Sequence, residues 1–298
     1  MSAALSPSRA SDFMQCPLLY RYRVIDKLPE PASPAAARGT LVHTALERIF
    51  DLPAEQRTPE ATIGLLPEQW DQLVAQEPEL AALCDGDEGV PDLTKWLADA
   101  GDLVQRWFTL ENPMFLEPAE RELYVEAECE GLTLRGYVDR LDVAPDGRLR
   151  VVDYKTGRSP SELFEGKALF QMKFYALVLW RTRGVIPTML QLVYLKDAQI
   201  LRYEPVEAEL VATERKMQAL WAAIEVAARN GDWRPKKSRL CSFCHHQDVC
   251  PEFGGTPPPL PDDALERALN PPSRRAAADG AHQLVPAPTQ VKAAAETS

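Results

Sequence analysis

No apolar stretch of the 298-residue chain approaches the roughly 18 residues that a bilayer-spanning helix needs. The opening segment MSAALSPSRASDF lacks the apolar core of a secretory signal, which predicts a cytoplasmic location and no membrane partner. No Gly-x-x-x-x-Gly-Lys-[Ser/Thr] loop is present, so no P-loop ATP site is expected. No internal repeat is visible. Histidine is scarce, four residues in all, so each one has weight as a candidate ligand. The six cysteines do not suggest a disulfide framework in a cytosolic chain. An excess of basic charge is also missing: the net charge is −11, which does not advertise a polyanionic partner. The deficit is local, however. Residues 51–130 carry 20 carboxylates against 4 cations, whereas residues 1–50 come to +2, 131–254 to +4 and 255–298 to −1. The segments that hold the motifs below are mildly basic, so a nucleic acid is not excluded.

What is present is an ordinary globular composition, 45% hydrophobic and 26% charged, long enough for one sizeable core. Residues 6–23 read as a helix opened by Ser6-Pro7. Residues 30–37 read as a connection, and 38–50 as a helix with Leu41, Ala45, Leu46 and Ile49 at helical spacing. Residues 51–120 form an acidic, proline-punctuated helical insertion containing Pro67–Gln76 and an amphipathic helix over 93–110. The period then changes. Glu122–Cys129, Leu132–Val143 and Leu149–Tyr154 are β-rich runs separated by the turn signals Glu130-Gly131 and Pro145-Asp146-Gly147. A helix over 162–183, strands over 188–196 and 199–205, and a helix over 207–230 follow. The order predicts a mixed α/β fold with a central mixed sheet flanked by helices. Residues 1–254 form the domain, with 231–254 as a C-terminal cysteine region. Residues 255–298, rich in Pro, Ala and Ser, read as a disordered tail.

The chemistry concentrates on the central hairpin. Asp139 lies in Gly136-Tyr137-Val138-Asp139-Arg140, and the returning strand carries Val151-Val152-Asp153-Tyr154-Lys155-Thr156-Gly157. Asp153 and Lys155, two apart on a strand, share a face, and the neighbouring antiparallel strand can bring Asp139 alongside. Val151 and Val152 mark the second strand as central. A structural ion pair accounts for such residues at a strand end. The chemical reading is that Asp139 and Asp153 offer hard oxygen ligands to Mg²⁺ or Mn²⁺ while Lys155 positions water and stabilises negative charge.

These segments resemble the PD-(D/E)xK nuclease superfamily, its RecB-type exonuclease and CRISPR adaptation nuclease branch in particular. Val138 stands where the superfamily name has proline. The resemblance implies a restriction-endonuclease-like core and metal-dependent cleavage of DNA, exonucleolytic and serving repair or recombination. It implies DNA as partner, single-stranded or end-bearing duplex, with unwinding left to a separate helicase. It assigns the catalytic set Asp139, Asp153 and Lys155 and adds His43, in Gly39-Thr40-Leu41-Val42-His43, as a third metal ligand. Gln171 and Tyr175, four apart on one helix face, would line the DNA path, and Arg234, Lys236 and Lys237 form a phosphate-contacting patch. A non-catalytic DNA-binding module acting with a helicase is the alternative.

Cys84 and Cys129 read as isolated small residues. Cys241-x2-Cys244-x5-Cys250-Pro251 is a compact ligand group, and Cys16-Pro17 offers a fourth thiolate from the other end of the chain. The spacing suits iron–sulfur ligation, while His245 and His246 leave structural zinc open. The resemblance implies a [4Fe-4S] cluster on Cys16, Cys241, Cys244 and Cys250.

Overall fold

Turn chemistry sets the strand pairing. Glu130 and Gly131, both at positive φ (50° and 83°), join β2 (Glu120–Cys129) to β3 (Leu132–Val143). This is the two-residue turn whose twist suits an antiparallel hairpin. Gly147, at φ 84°, turns β3 into β4 (Leu149–Lys155). The computed structural model describes residues 3–86, 90–160 and 165–269. In it β1 (Ala3–Leu5) pairs parallel with β3, β4 lies between β3 and β5 (Met189–Tyr194), and β6 (Gln199–Tyr203) closes the far edge against β5. The β1–β3 and β4–β5 pairings are parallel and the β2–β3, β3–β4 and β5–β6 pairings antiparallel, so the sheet is mixed as expected. Val151 and Val152 are both fully buried, which confirms β4 as a central strand covered on both faces.

Strand β3 has an unusual second edge. Strand β2 takes one edge from Leu132 to Leu141. The other edge is shared: β1 pairs with Leu132–Leu134 and β4 with Arg140–Val143. Residues 135–139 lie in the gap between them.

The sheet separates two apolar layers. On one face lie α1 (Pro7–Gln15), α2 (Pro17–Tyr20) and a π-helical turn at Arg21–Asp26, followed later in the chain by α7 (Glu165–Arg183), α8 (Glu207–Asn230) and α9 (Ala264–Leu269). On the other lie α3 (Pro34–Arg48), α4 (Pro59–Gly64), α5 (Leu66–Gln76) and α6 (Leu93–Leu110). Period-two alternation sends Val151 to the first layer and Val152 and Tyr154 to the second. The acidic segment is therefore a structural layer: Trp70, Trp96 and Trp107 are buried in it.

Three expectations change. The helix expected over 6–23 breaks at Cys16, which is extended (φ −163°), because the following Pro17 disfavours helical backbone before it. The helix expected over 162–183 is α7 (Glu165–Arg183), and its first positions lie outside the described residues. The tail does not begin at 255. After α8 (Glu207–Asn230), the chain reaches α9 (Ala264–Leu269), which is docked by backbone acceptors. Tyr20 Oη donates to the Ala268 carbonyl (2.9 Å), Arg267 donates to the Ile25 carbonyl (3.1 Å), and Ala268 is fully buried. Composition cannot show anchoring through carbonyls, and residues 270–298 lie outside the described residues. Among the described residues no helix is long and apolar enough to cross a membrane.

Candidate active site

The centre is built where two strands part. The β3–β4 ladder ends at Arg140↔Val152, and one more rung would set Asp139 against Asp153. Like charges directly opposite disfavour that rung. Instead the Tyr154 N–H, freed from the ladder, donates to Asp139 Oδ2 (2.7 Å). His43, projected from α3, brings Nδ1 to 3.4 Å from the same oxygen, with its ring edge-on to Tyr154. Burial and then the Asp153 charge raise the Asp139 carboxyl above the usual range, against the pull of His43, the Tyr154 N–H and Lys155.

Arg140, the next residue, anchors the fork from behind. It is 1% exposed and grips Glu111 at the end of α6 with two bonds (2.8 and 3.0 Å). It also donates to Tyr154 Oη (2.5 Å), and Trp107 and Gln191 donate to the same Glu111. Burial works the other way, yet the Arg140 guanidinium holds Glu111 below the usual carboxylate range.

Asp153 is 2% exposed and turns toward α7. Lys155 Nζ lies 2.6 Å from Asp153 Oδ2, and Gln171 bridges the two. Its Oε1 accepts from Lys155 (3.0 Å), and its Nε2 donates to Asp153 Oδ1 (3.1 Å) and to Tyr175 Oη (3.1 Å). Gln171 and Tyr175 thus share a helix face as expected, and the structure brings them against Asp153 and Lys155. Tyr175 packs directly over Gly136 and is buried, which raises its hydroxyl pKa.

One residue escaped the sequence reading. Glu122 of β2 stands across from Asp139, between the pairs Arg121↔Arg140 and Leu123↔Val138. Ligand atoms of His43, Glu122 and Asp139 all lie within 4.8 Å of one another, a nitrogen and two carboxylates that can hold a divalent ion. Desolvation, then Asp139, Glu47 and Asp153, raise Glu122. Asp153 flanks this set: its Oδ1 accepts from Gln171, while its buried Oδ2 lies beside the Lys155 ammonium with no hydrogen-bond partner among the described residues. The signal for Glu122 was available: counting back from a two-residue turn at Glu130-Gly131 pairs position 139 with 122.

A cleft of about 930 Å³ opens from Asp139, Lys155 and Gln171 through the gap along β3 toward Arg9 and Lys27. The four predicted cluster cysteines meet elsewhere. Cys16, Cys241, Cys244 and Cys250 line one pocket with Tyr22. Backbone N–H groups of Lys236 and Ser238 point at Cys16 Sγ and Cys241 Sγ (3.4 and 3.3 Å). Burial raises the Cys250 thiol, as do the other three sulfurs. His246 is buried and bonded to Glu30 Oε1 (2.8 Å), while Cys84 and Cys129 lie apart, Cys129 inside the core. Lys236 and Lys237 border the cysteine pocket, and Arg234 pairs with Asp232 (2.8 Å); none of the three lines the cleft.

Known proteins agree with this architecture. The chain is 25% identical to the Gene 69 protein of Mycobacterium phage L5 over 291 residues, covering 83% of this chain and 96% of the relative. It is 26% identical to the Gene 69 protein of Mycobacterium phage D29, covering 60% and 70%. The fold is shared with a crystal structure named "Putative exonuclease" from Eubacterium rectale, at TM-score 0.54 and 16% identity, covering 88% of this chain and 92% of that one. A sequence model of the PD-(D/E)XK nuclease superfamily matches residues 4–251, from β1 to just past the last cysteine. A match over that span takes in both layers and the whole sheet, and the chain belongs to the PD-(D/E)XK nuclease superfamily.

Proposed function

We propose that the protein is a metal-dependent deoxyribonuclease that hydrolyses DNA from its ends, in processing of the repair or recombination kind. The observation that carries the reading is the fork at Asp139 and Asp153, with Lys155 held in place by Gln171. His43, Glu122 and Asp139, flanked by Asp153, would hold Mg²⁺ or Mn²⁺; when bound, the ion supplies Lewis acidity and a more acidic water. Lys155, one-third exposed at the cleft, would orient the attacking water and stabilise the charge that develops on the phosphate. Asp153 and Gln171 hold the ammonium in one place, which lowers the cost of orienting it during reaction. Arg140 acts through the scaffold, keeping β3 and α6 together behind the ligands. The exonucleolytic mode is the one the RecB-like motif order implies, with unwinding supplied by a separate helicase.

The cysteine pocket is read as a [4Fe-4S] site that ties Cys16, near the start of the nuclease domain, to Cys241, Cys244 and Cys250 near its end. Among the described residues no three donor atoms of these cysteines and His245 or His246 gather within 4.8 Å. Tetrahedral zinc, with Zn–S of ~2.3 Å, needs sulfurs within roughly 4 Å of one another. The thiolates of an iron–sulfur cube bind different corners and stand wider apart. The engagement of His246 with Glu30 supports the same choice. Anaerobically purified protein is expected to be brown, with absorbance near ~400 nm that is lost in Cys16→Ser; a colourless protein with one equivalent of zinc reverses the assignment.

The test of activity is cleavage of end-labelled single- and double-stranded DNA in Mg²⁺ and Mn²⁺. Wild-type protein is expected to release short products from an end, and Asp153→Ala to release none. A circular substrate cut as fast as a linear one overturns the end requirement.

A further inference from the structure

We propose that Tyr124 and Tyr137 form a base-stacking subsite that receives the single-stranded end of the DNA beside the metal centre. The proposal rests on the nuclease reading and adds to it the form of the substrate. The two residues are direct cross-strand partners on β2 and β3, with ring centroids 5.3 Å apart and planes at 60°. Neither ring belongs to either apolar layer; both are partly exposed and both line the cleft. An aromatic pair at the floor of a wet cleft loses contact with water when a flat apolar face covers it. Tyr124 Oη is bonded to Glu126, which limits the freedom its ring has left to lose on binding.

Position gives the pair its meaning. Tyr137 precedes Asp139 by two residues on the same face of β3, about 7 Å along the strand. A base lying on these rings therefore belongs to a nucleotide flanking the phosphate at Asp139. The cleft also concentrates cations: six Lys and Arg side chains line it against two carboxylates, Asp12 and Asp139, in a chain whose net charge is −11. Arg135 stands beside Tyr137 on β3, while Arg9 and Arg158 come from α1 and from the loop after β4. A groove that combines aromatic faces with a cationic wall is the general chemistry of single-strand binding. Inside a duplex each base has neighbours on both faces and only the end pair keeps one face free, held in its pair, so the subsite favours unpaired ends.

The test is binding of a fluorescein-labelled oligo(dT) and of a blunt duplex in EDTA, where no cleavage occurs. A second oligonucleotide carries 2-aminopurine near its end as a stacking reporter. Tyr137→Leu and Tyr124→Leu are expected to weaken single-strand binding by roughly ten-fold or more each, the scale of one lost base–aromatic stack. Duplex binding should change by no more than two-fold, and the 2-aminopurine signal of the complex should move toward that of the free strand. Tyr137→Phe keeps the ring, should retain binding, and controls for folding. Single-strand binding by Tyr137→Leu at wild-type strength overturns the subsite, as does an equal loss for both DNA forms. Hydrolysis of bis-p-nitrophenyl phosphate by the wild-type protein in Mn²⁺ tests the nuclease reading separately, since that substrate has no base to stack.

Discussion

A Cβ atom on Gly136 would lie 2.7 Å from Cε1 of Tyr175, closer than real side chains approach, so the ring occupies space that only glycine leaves open. Tyr175 Oη in turn meets Gln171, which holds Asp153 and Lys155. The glycine three residues before Asp139 therefore makes room for the contact that supports Gln171, Asp153 and Lys155 on the α7 face of the sheet. Gly136→Ala is expected to displace the ring, lower the turnover number for DNA cleavage by ten-fold or more and cost about 1–3 kcal/mol of stability as an overpacked contact. Single-turnover kinetics with a urea melt check it; unchanged cleavage would show that Gln171 needs no support from Tyr175.

Asp153 and Lys155 make an unequal pair. Asp153 is 2% exposed while one-third of the Lys155 side chain meets solvent, so the ammonium can turn to water and the carboxylate cannot. Both Asp153→Ala and Lys155→Ala should abolish cleavage. In EDTA, Lys155→Ala should cost more stability, up to about 3 kcal/mol, because it strands a buried charge. Asp153→Ala should cost less than half of that. Urea unfolding in EDTA reads the difference, and full cleavage by the Asp153→Ala protein would falsify the catalytic assignment.

The hairpin and its motif were legible because their signals are local: a two-residue turn, a period of two, charged residues in a strand with apolar neighbours. The cores of β3, α6 and α8 were read to the residue for the same reason. What escaped depends on contacts between distant segments. Strand β1 is three residues, too short to alternate, and it forms only because Leu132–Leu134 offers an edge. Arg140 reads as part of a motif, but its partner Glu111 lies 29 residues earlier in the acidic segment, among 20 carboxylates with nothing to single it out. The cysteines could be grouped by spacing, whereas the distance of the basic patch from the cleft could not.

Asp139 should make metal-free protein less stable as pH rises. Its folded carboxyl is raised by burial first and by Asp153 second, so the neutral form is favoured. Stability from that shift is complete below the ordinary carboxylate value and is lost as pH rises through the raised one. Asp139→Asn keeps an acceptor for the Tyr154 N–H and removes the charge. In EDTA it should melt with wild-type at pH 4 and above it at pH 8, by about 2–4 °C for each kcal/mol relieved. Mn²⁺ should raise the wild-type melting temperature increasingly over the same window and leave Asp139→Asn much less affected. A melting difference independent of pH would place the strain elsewhere.

Glu122 occupies left-handed backbone, φ 44°, a conformation that costs a non-glycine residue about 1 kcal/mol or more. Its carboxylate is one of three groups gathered within 4.8 Å around Asp139. A residue that only filled a strand position would be replaced by glycine with gain and no loss. Glu122→Gly should therefore hold or raise the melting temperature in EDTA, since glycine takes this backbone freely. The same variant should bind Mn²⁺ about ten-fold more weakly by calorimetry, as should Glu122→Gln, which keeps the backbone strain and removes only the charge. Weakened metal binding with unweakened folding in Glu122→Gly separates a ligand from a structural residue. Wild-type Mn²⁺ affinity in both variants would remove Glu122 from the metal centre and leave His43 and Asp139 to be completed by Asp153.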